Sequence, residues 1–163
     1  MPASDVWRFM EWIHYLFLSL WIGGIVSVSV IAAPAIHRSM ISKPLAGEIV
    51  RDMFKRLNQL ELLSFFFLII TTLVSRRFVT DEAKIWMLFL TIFTMGLLSA
   101  YYAFYLSPRL SAVREGAAGF ESLPPEHPSK RKFASLHRLY VRLMSLNLIL
   151  GLAALYGSVA LFN

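Results

Sequence analysis

Four long stretches of the chain contain no formally charged residue: Trp12–His37, Leu62–Ser75, Ile85–Pro108 and Leu143–Asn163. A helix rises ~1.5 Å per residue and a bilayer core is ~30 Å thick, so a membrane span needs about 20 apolar residues. Three of the stretches reach that length unaided. The second is shorter because Glu61 interrupts it, and its span must borrow from polar neighbours. A soluble bundle needs a polar face on every helix, whereas these segments are apolar all round. Composition agrees, with 57% hydrophobic and 16% charged residues, outside the range of ordinary soluble domains. The expected fold class is all-α: an integral membrane four-helix bundle of two hairpins, with helix two extended into the cytoplasm. Its helices are expected at about 9–36, 44–76, 83–106 and 131–161, in one transmembrane domain covering residues 1–163.

Basic residues orient the bundle. Arg38, Lys43, Arg51, Lys55 and Arg56 lie between helices one and two. Arg109, Arg114, Lys130, Arg131, Lys132, Arg138 and Arg142 lie between three and four, against Arg8, Arg76, Arg77 and Lys84 on the opposite side. Twelve against four places both long loops in the cytoplasm and both termini outside, as in a bacterial inner membrane protein. Membrane orientation thus explains the net charge of +6 without nucleic acid as a partner. The lipid bilayer is the expected partner, with other membrane subunits or a second copy as further candidates. Asp5 and Glu11 flank Arg8, and the following apolar run is too long for a signal core, so helix one is expected to be retained. Without cysteine, disulfides, thiolate metal sites and cysteine nucleophiles are excluded.

The first loop is expected to be largely helical. Ser42 suits a cap and Pro44 a first turn, after which Leu45, Ile49, Met53, Leu57 and Leu60 recur at helical spacing. The second loop, at about 116–130, holds Leu123-Pro124-Pro125-Glu126-His127-Pro128 and is expected to be mobile. A weak repeat links the halves. Ala33-Pro34 and Ser107-Pro108 are expected to close helices one and three, and Phe54-x-x-Leu57-Asn58-x-Leu60 echoes Phe133-x-x-Leu136-His137-x-Leu139. Trp7 and Trp12 suit the outer interfacial belt, and Tyr101, Tyr102 and Tyr105 the inner one.

Few residues inside the spans can carry chemistry. Trp7, His14 and Trp21 recur every seven residues on one face, setting an imidazole between two indoles. His14 reads either as a haem or metal ligand or as a histidine bonded to a neighbour or water. Lys84, which opens helix three on the same side, reads as a second ligand or as a lysine snorkelling to headgroups. Glu61 lies about a turn inside the hydrocarbon, where a carboxylate must be paired, neutral or wet. Arg142 is its expected partner, as a structural bridge or as part of a proton or substrate relay. His137, Tyr140, Met144, Asn147 and Gly151 share a face of helix four, and Asn147 at that depth must find a bonding partner inside the bundle. Gly23-Gly24 and Gly151 permit close helix approach.

His14-x6-Trp21-x-Gly23-Gly24, running to Ala33-Pro34, resembles the first helix of the copper-resistance-D-like superfamily of membrane proteins. Tyr101…Ser107-Pro108-Arg109…Arg114 and Phe133-x-x-Leu136-His137-Arg138 resemble its four-helix bacterial branch of unknown function, relatives of transmembrane protein 205. The resemblance implies two leads, copper handling and haem. A haem-synthesis relative holds haem b through a first-helix histidine and a lysine opening a later helix, roles that fall here on His14 and Lys84. Glu82-Ala83-Lys84 stands where that relative has His-x-Lys. In helix four, Tyr140 and Met144 stand where the branch often has Ser and Asn.

Three functions follow. The leading one is a non-catalytic scaffold, assembly factor or accessory subunit. The alternatives are a haem b redox protein using His14, Lys84 and the pocket wall of Trp21, and a small transporter whose cytoplasm-facing cavity holds Glu61, His137, Arg142 and Asn147.

Overall fold

In the computed structural model, residues 3–162 are described, leaving aside the side chains of residues 3, 4 and 43. The elements are α1 (Ala3–Ile25), a π-helical stretch (Val26–Ala32), α2 (Ala33–Ser39), α3 (Lys43–Ser75), α4 (Glu82–Tyr101), a second π stretch (Tyr102–Leu106), α5 (Ser107–Glu115), a 3-10 turn (Phe120–Ser122) and α6 (Pro128–Phe162). They form four rods: α1 to α2, α3, α4 to α5, and α6. Each rod is long and apolar enough to cross a membrane. Consecutive rods run antiparallel and the fourth packs back on the first, a four-helix membrane bundle. One end carries the connections at 40–42 and 116–127, and the other carries both ends of the described chain and the short connection at 76–81; these are called the loop end and the terminal end.

The two prolines do not close their helices. The ring of a proline removes one backbone donor and collides with the carbonyl four residues back. Here each helix widens ahead of its proline: the Ala33 N–H bonds to Val28 O and the Ser107 N–H to Tyr102 O, both five residues back. The π turns make room for Pro34 and Pro108, and the rods continue to Ser39 and Glu115. The repeat noted in the sequence therefore recurs as a structural device in both hairpins.

At ~1.5 Å per residue α3 is about 50 Å long, so part of it extends beyond a ~30 Å core. Ser42 stands at its N-cap, but its side chain makes no capping bond. The second loop makes contacts with the helices that flank it. Phe120 is buried against Phe133 at 5.2 Å, Lys130 Nζ lies over the Phe120 ring, and Arg114 bonds Glu121 at 2.6 Å. Arg114 also bonds Pro44 O at 3.3 Å, lying across Gly47 where a Cβ would collide with it. Gly24 and Gly151 sit at close approaches, with an added Cβ meeting Leu57 at 2.8 Å and Ile22 at 3.1 Å, while Gly23 faces open space.

Candidate functional site

Contacts between rods fix which residues share a level. Phe17 stacks on Phe67 at 4.2 Å, His14 bonds Thr71 and Ser158, and Gly151 faces Ile22. On that register Trp21 lies level with Glu61 and Ser64. The bundle interior is consequently layered.

Nearest the terminal end, His14 is wholly buried, with Nδ1 2.9 Å from Thr71 Oγ1 and Nε2 2.9 Å from Ser158 Oγ. Each hydroxyl also donates to a helix carbonyl, Thr71 to Phe67 and Leu68 and Ser158 to Ala154. A neutral imidazole has one N–H, so one hydroxyl must turn from its carbonyl towards the ring. In either arrangement both nitrogens are engaged. Lys84 stands at the exposed start of α4, its Nζ 3.0 Å from Asp81 and its backbone N–H on the same carboxylate. The Lys84 side-chain and backbone bonds hold the Asp81 carboxyl below the usual carboxylate range. His14 and Lys84 thus do not fit a pair of haem ligands: the imidazole has no free nitrogen, and the ammonium is paired with Asp81, the residue that caps α4. Trp7 packs on Phe78 and Phe162 rather than on His14.

Beneath this level lies an apolar layer, one fully or nearly fully buried side chain from each rod: Leu18, Leu68, Ile92 and Ala154. The next level is polar again. Tyr102 donates to Glu61 Oε1 at 2.7 Å, and the Tyr102 and Ser99 hydroxyls are 2.9 Å apart. Asn147 Nδ2 reaches Tyr102 OH and Ser99 Oγ at 2.9 Å each and Met95 O at 3.2 Å. All four side chains are buried. The donors form a directed chain: Asn147 to Ser99, Ser99 to Tyr102, Tyr102 to Glu61. Four buried atoms at this level have no protein partner: Glu61 Oε2, Asn147 Oδ1, Ser64 Oγ and Trp21 Nε1.

Glu61 and Asn147 are brought into one network, but Arg142 is not part of it. Tyr140 faces inward with its hydroxyl on Asn58 Oδ1 at 3.0 Å, and Arg142, two residues on, is turned about 200° away. Arg142 is exposed and has no acidic partner among the described residues, so the expected Glu61–Arg142 bridge does not form. Its long stem instead suits a reach along the bilayer to headgroups. Tyr102 also departs from expectation, being a buried partner of Glu61, while Tyr101 and Tyr105 stack on the surface with Arg109 over Tyr105. The sequence does signal the network, through Asn58-x-x-Glu61-x-x-Ser64 and Ser99-x-x-Tyr102, spacings of three that keep polar groups on one helix face.

A cavity of about 210 Å³ opens at the loop end, with His37, Arg51, Arg114, His137 and Tyr140 on its wall. Arg51 pairs with Glu115 at 3.0 Å and His137 stacks on Phe133. A second cavity of about 350 Å³ shares His37, Val50, Phe54 and His137 with the first and continues between the first rod and α6. Tyr140 joins cavity to core, since its ring lies 5.2 Å from that of Tyr102.

Four apolar rods around a layered polar interior define a multi-pass membrane bundle with an internal hydrogen-bonded site. A family model described as a domain of unknown function (DUF4149) matches residues 16–118, more than half of the chain, and the chain belongs to that family. The match covers Trp21, Glu61, Ser99 and Tyr102 and ends before α6. No curated protein and no solved structure matches the chain.

Proposed function

We propose that this chain is a small inward-open carrier of the bacterial inner membrane, with its loop end in the cytoplasm and Glu61 as its proton-carrying group. The observation that carries this reading is the second oxygen of Glu61, buried and without a protein partner. As a carboxylate it lacks a donor, and as an acid its O–H lacks an acceptor, so neither state is fully satisfied by the protein. Two donors and two acceptors lie unpaired at one level, a set that one or two waters would satisfy. The loop-end cavity, Tyr140–Asn58 and Tyr102 lead towards that level, and the layer of Leu18, Leu68, Ile92 and Ala154 closes it from the other side. A cavity open to one face, a buried carboxyl that Tyr140 and Tyr102 separate from it, and an apolar seal beyond are the parts of an alternating-access device in one of its states. The twelve-to-four bias of Lys and Arg supports the orientation. The resemblance to the copper-resistance-D-like superfamily fits this membrane setting, and the haem lead is not taken up because His14 has no free nitrogen.

The test is charge movement. Protein reconstituted on a solid-supported membrane should give a transient current when the loop-side pH is stepped, and Glu61→Gln should abolish it with fold and yield unchanged. A scaffold or accessory subunit would give no current in the wild type, and that result would overturn the carrier reading.

A further inference from the structure

We infer that the groove between the first rod and α6 binds a single anionic lipid-like amphiphile, its chain lying in the groove and its headgroup at His37 and His137. The inference rests on the carrier reading and names the chemical class that enters its cavity. The first rod and α6 touch through His14–Ser158 and Ile22–Gly151, in the half nearer the terminal end. Towards the loop end the space between them is a cavity walled by Ile25, Val30, Val141, Met144 and Leu148. Val30 is 61% exposed and Val141 42%, so the groove is reached sideways from the bilayer. Along the groove the first rod is π-helical, and no residue of Val26–Ala32 is buried. Single π turns of this kind recur at functional sites.

Length and charge select the occupant. From Ile25 to His37 the first rod rises about 18 Å, and from His137 to Leu148 α6 rises about 16 Å, close to the ~15 Å depth of one leaflet. The apolar part therefore matches an acyl chain lying in its own leaflet. The polar end offers hydrogen-bond donors and no acid: His37 and His137 line both cavities, and no carboxylate lines either. Arg38 and Arg138, adjacent to the two histidines, are exposed and have no acidic partner among the described residues. Arg51 and Arg114 are already neutralised by Glu115 and Glu121, which leaves the histidines and these two arginines to receive a headgroup phosphate or carboxylate. A zwitterionic lipid would bring an unmatched cation to the same place.

Native mass spectrometry of the delipidated protein tests the inference, with phosphatidylglycerol and phosphatidylcholine of identical chains as ligands. One phosphatidylglycerol should bind about ten-fold more tightly than phosphatidylcholine, a difference near 1.4 kcal/mol. Val141→Trp, which fills the groove, and the double variant His37→Asn/His137→Asn should each weaken it to a similar degree. Ser145→Phe, on the same wall, serves where Val141→Trp does not fold. Equal binding of the two lipids, or phosphatidylglycerol binding untouched by groove filling, would overturn the proposal. Displacement of the lipid by millimolar inorganic phosphate or glycerol 3-phosphate would overturn it too, by identifying a site for soluble anions. Glu61→Gln should bind the lipid as the wild type does, so loss of the proton current and loss of lipid binding are separate failures.

Discussion

Replacing Tyr102 by Phe removes one oxygen and three contacts. The hydroxyl donates to Glu61 at 2.7 Å and lies 2.9 Å from both Ser99 Oγ and Asn147 Nδ2. Asn147 keeps Met95 O and Ser99, and the ring keeps its packing against Tyr140. The loss falls on Glu61, whose other oxygen already has no partner. Stranding a buried polar group costs about 1–3 kcal/mol, whereas hydrogen bonds between membrane helices average only ~0.6 kcal/mol. Stranding dominates, so Tyr102→Phe should cost about 2 kcal/mol, roughly a thirty-fold shift in the unfolding constant. Glu61→Leu removes the group that would be stranded. In that background Tyr102→Phe should cost at most about 0.5 kcal/mol, leaving a coupling of about 1.5 kcal/mol between the two sites. Reversible unfolding in mixed micelles, followed by tryptophan fluorescence, measures all four corners of the cycle. An equal cost of Tyr102→Phe with and without Glu61 would mean that the hydroxyl does not act through the carboxyl.

Three further outcomes are expected. His14→Phe keeps a ring in the site and lets Thr71 and Ser158 hold their carbonyls, so it should cost less than His14→Ala, which opens a core cavity worth about 2–4 kcal/mol; added haem should give no Soret band that depends on His14. A Cβ at Gly96 would run into the Phe65 ring, so Gly96→Ala should destabilise by about 1–3 kcal/mol in the same unfolding assay and be relieved by Phe65→Leu. Because Lys84 lowers the Asp81 carboxyl in the folded state, its contribution is present above the ordinary aspartate range and is lost as pH falls through the depressed value. Thermal melts between pH 2 and 6 should therefore show a flatter acid limb for Asp81→Asn.

The rods were legible in the sequence because hydrocarbon tolerates so few charges: where Lys, Arg, Asp and Glu stop, the spans begin. The π turns at Pro34 and Pro108 were not, since a proline after an apolar run is also how helices end, and only the five-residue bonds of Ala33 and Ser107 distinguish the two. Glu61 and Asn147 stood out because their depth demands partners. Which partners they take depends on the register between rods, which hydropathy does not encode. Charge matching suggested Arg142, but helix geometry turns Arg142 away and brings in Tyr102, which its neighbours Tyr101 and Tyr105 had made to look like a belt residue. His14 was legible as buried and bonded or as a free ligand, and Thr71 and Ser158, lying far off in sequence, decide between them.

The absence of cysteine makes one-sided access to the polar core directly measurable, because any single introduced thiol is the only one in the chain. Ser111→Cys in the loop-end cavity, Ser64→Cys at the Glu61 level and Ala154→Cys in the apolar layer can each be challenged with a small membrane-impermeant thiol reagent from either side. Ser111→Cys and, more slowly, Ser64→Cys should react from the loop side alone, with Ala154→Cys inert from both. Labelling of Ser64→Cys from the terminal side, or its complete protection while Ser111→Cys reacts, would contradict a polar core open to one face and sealed from the other.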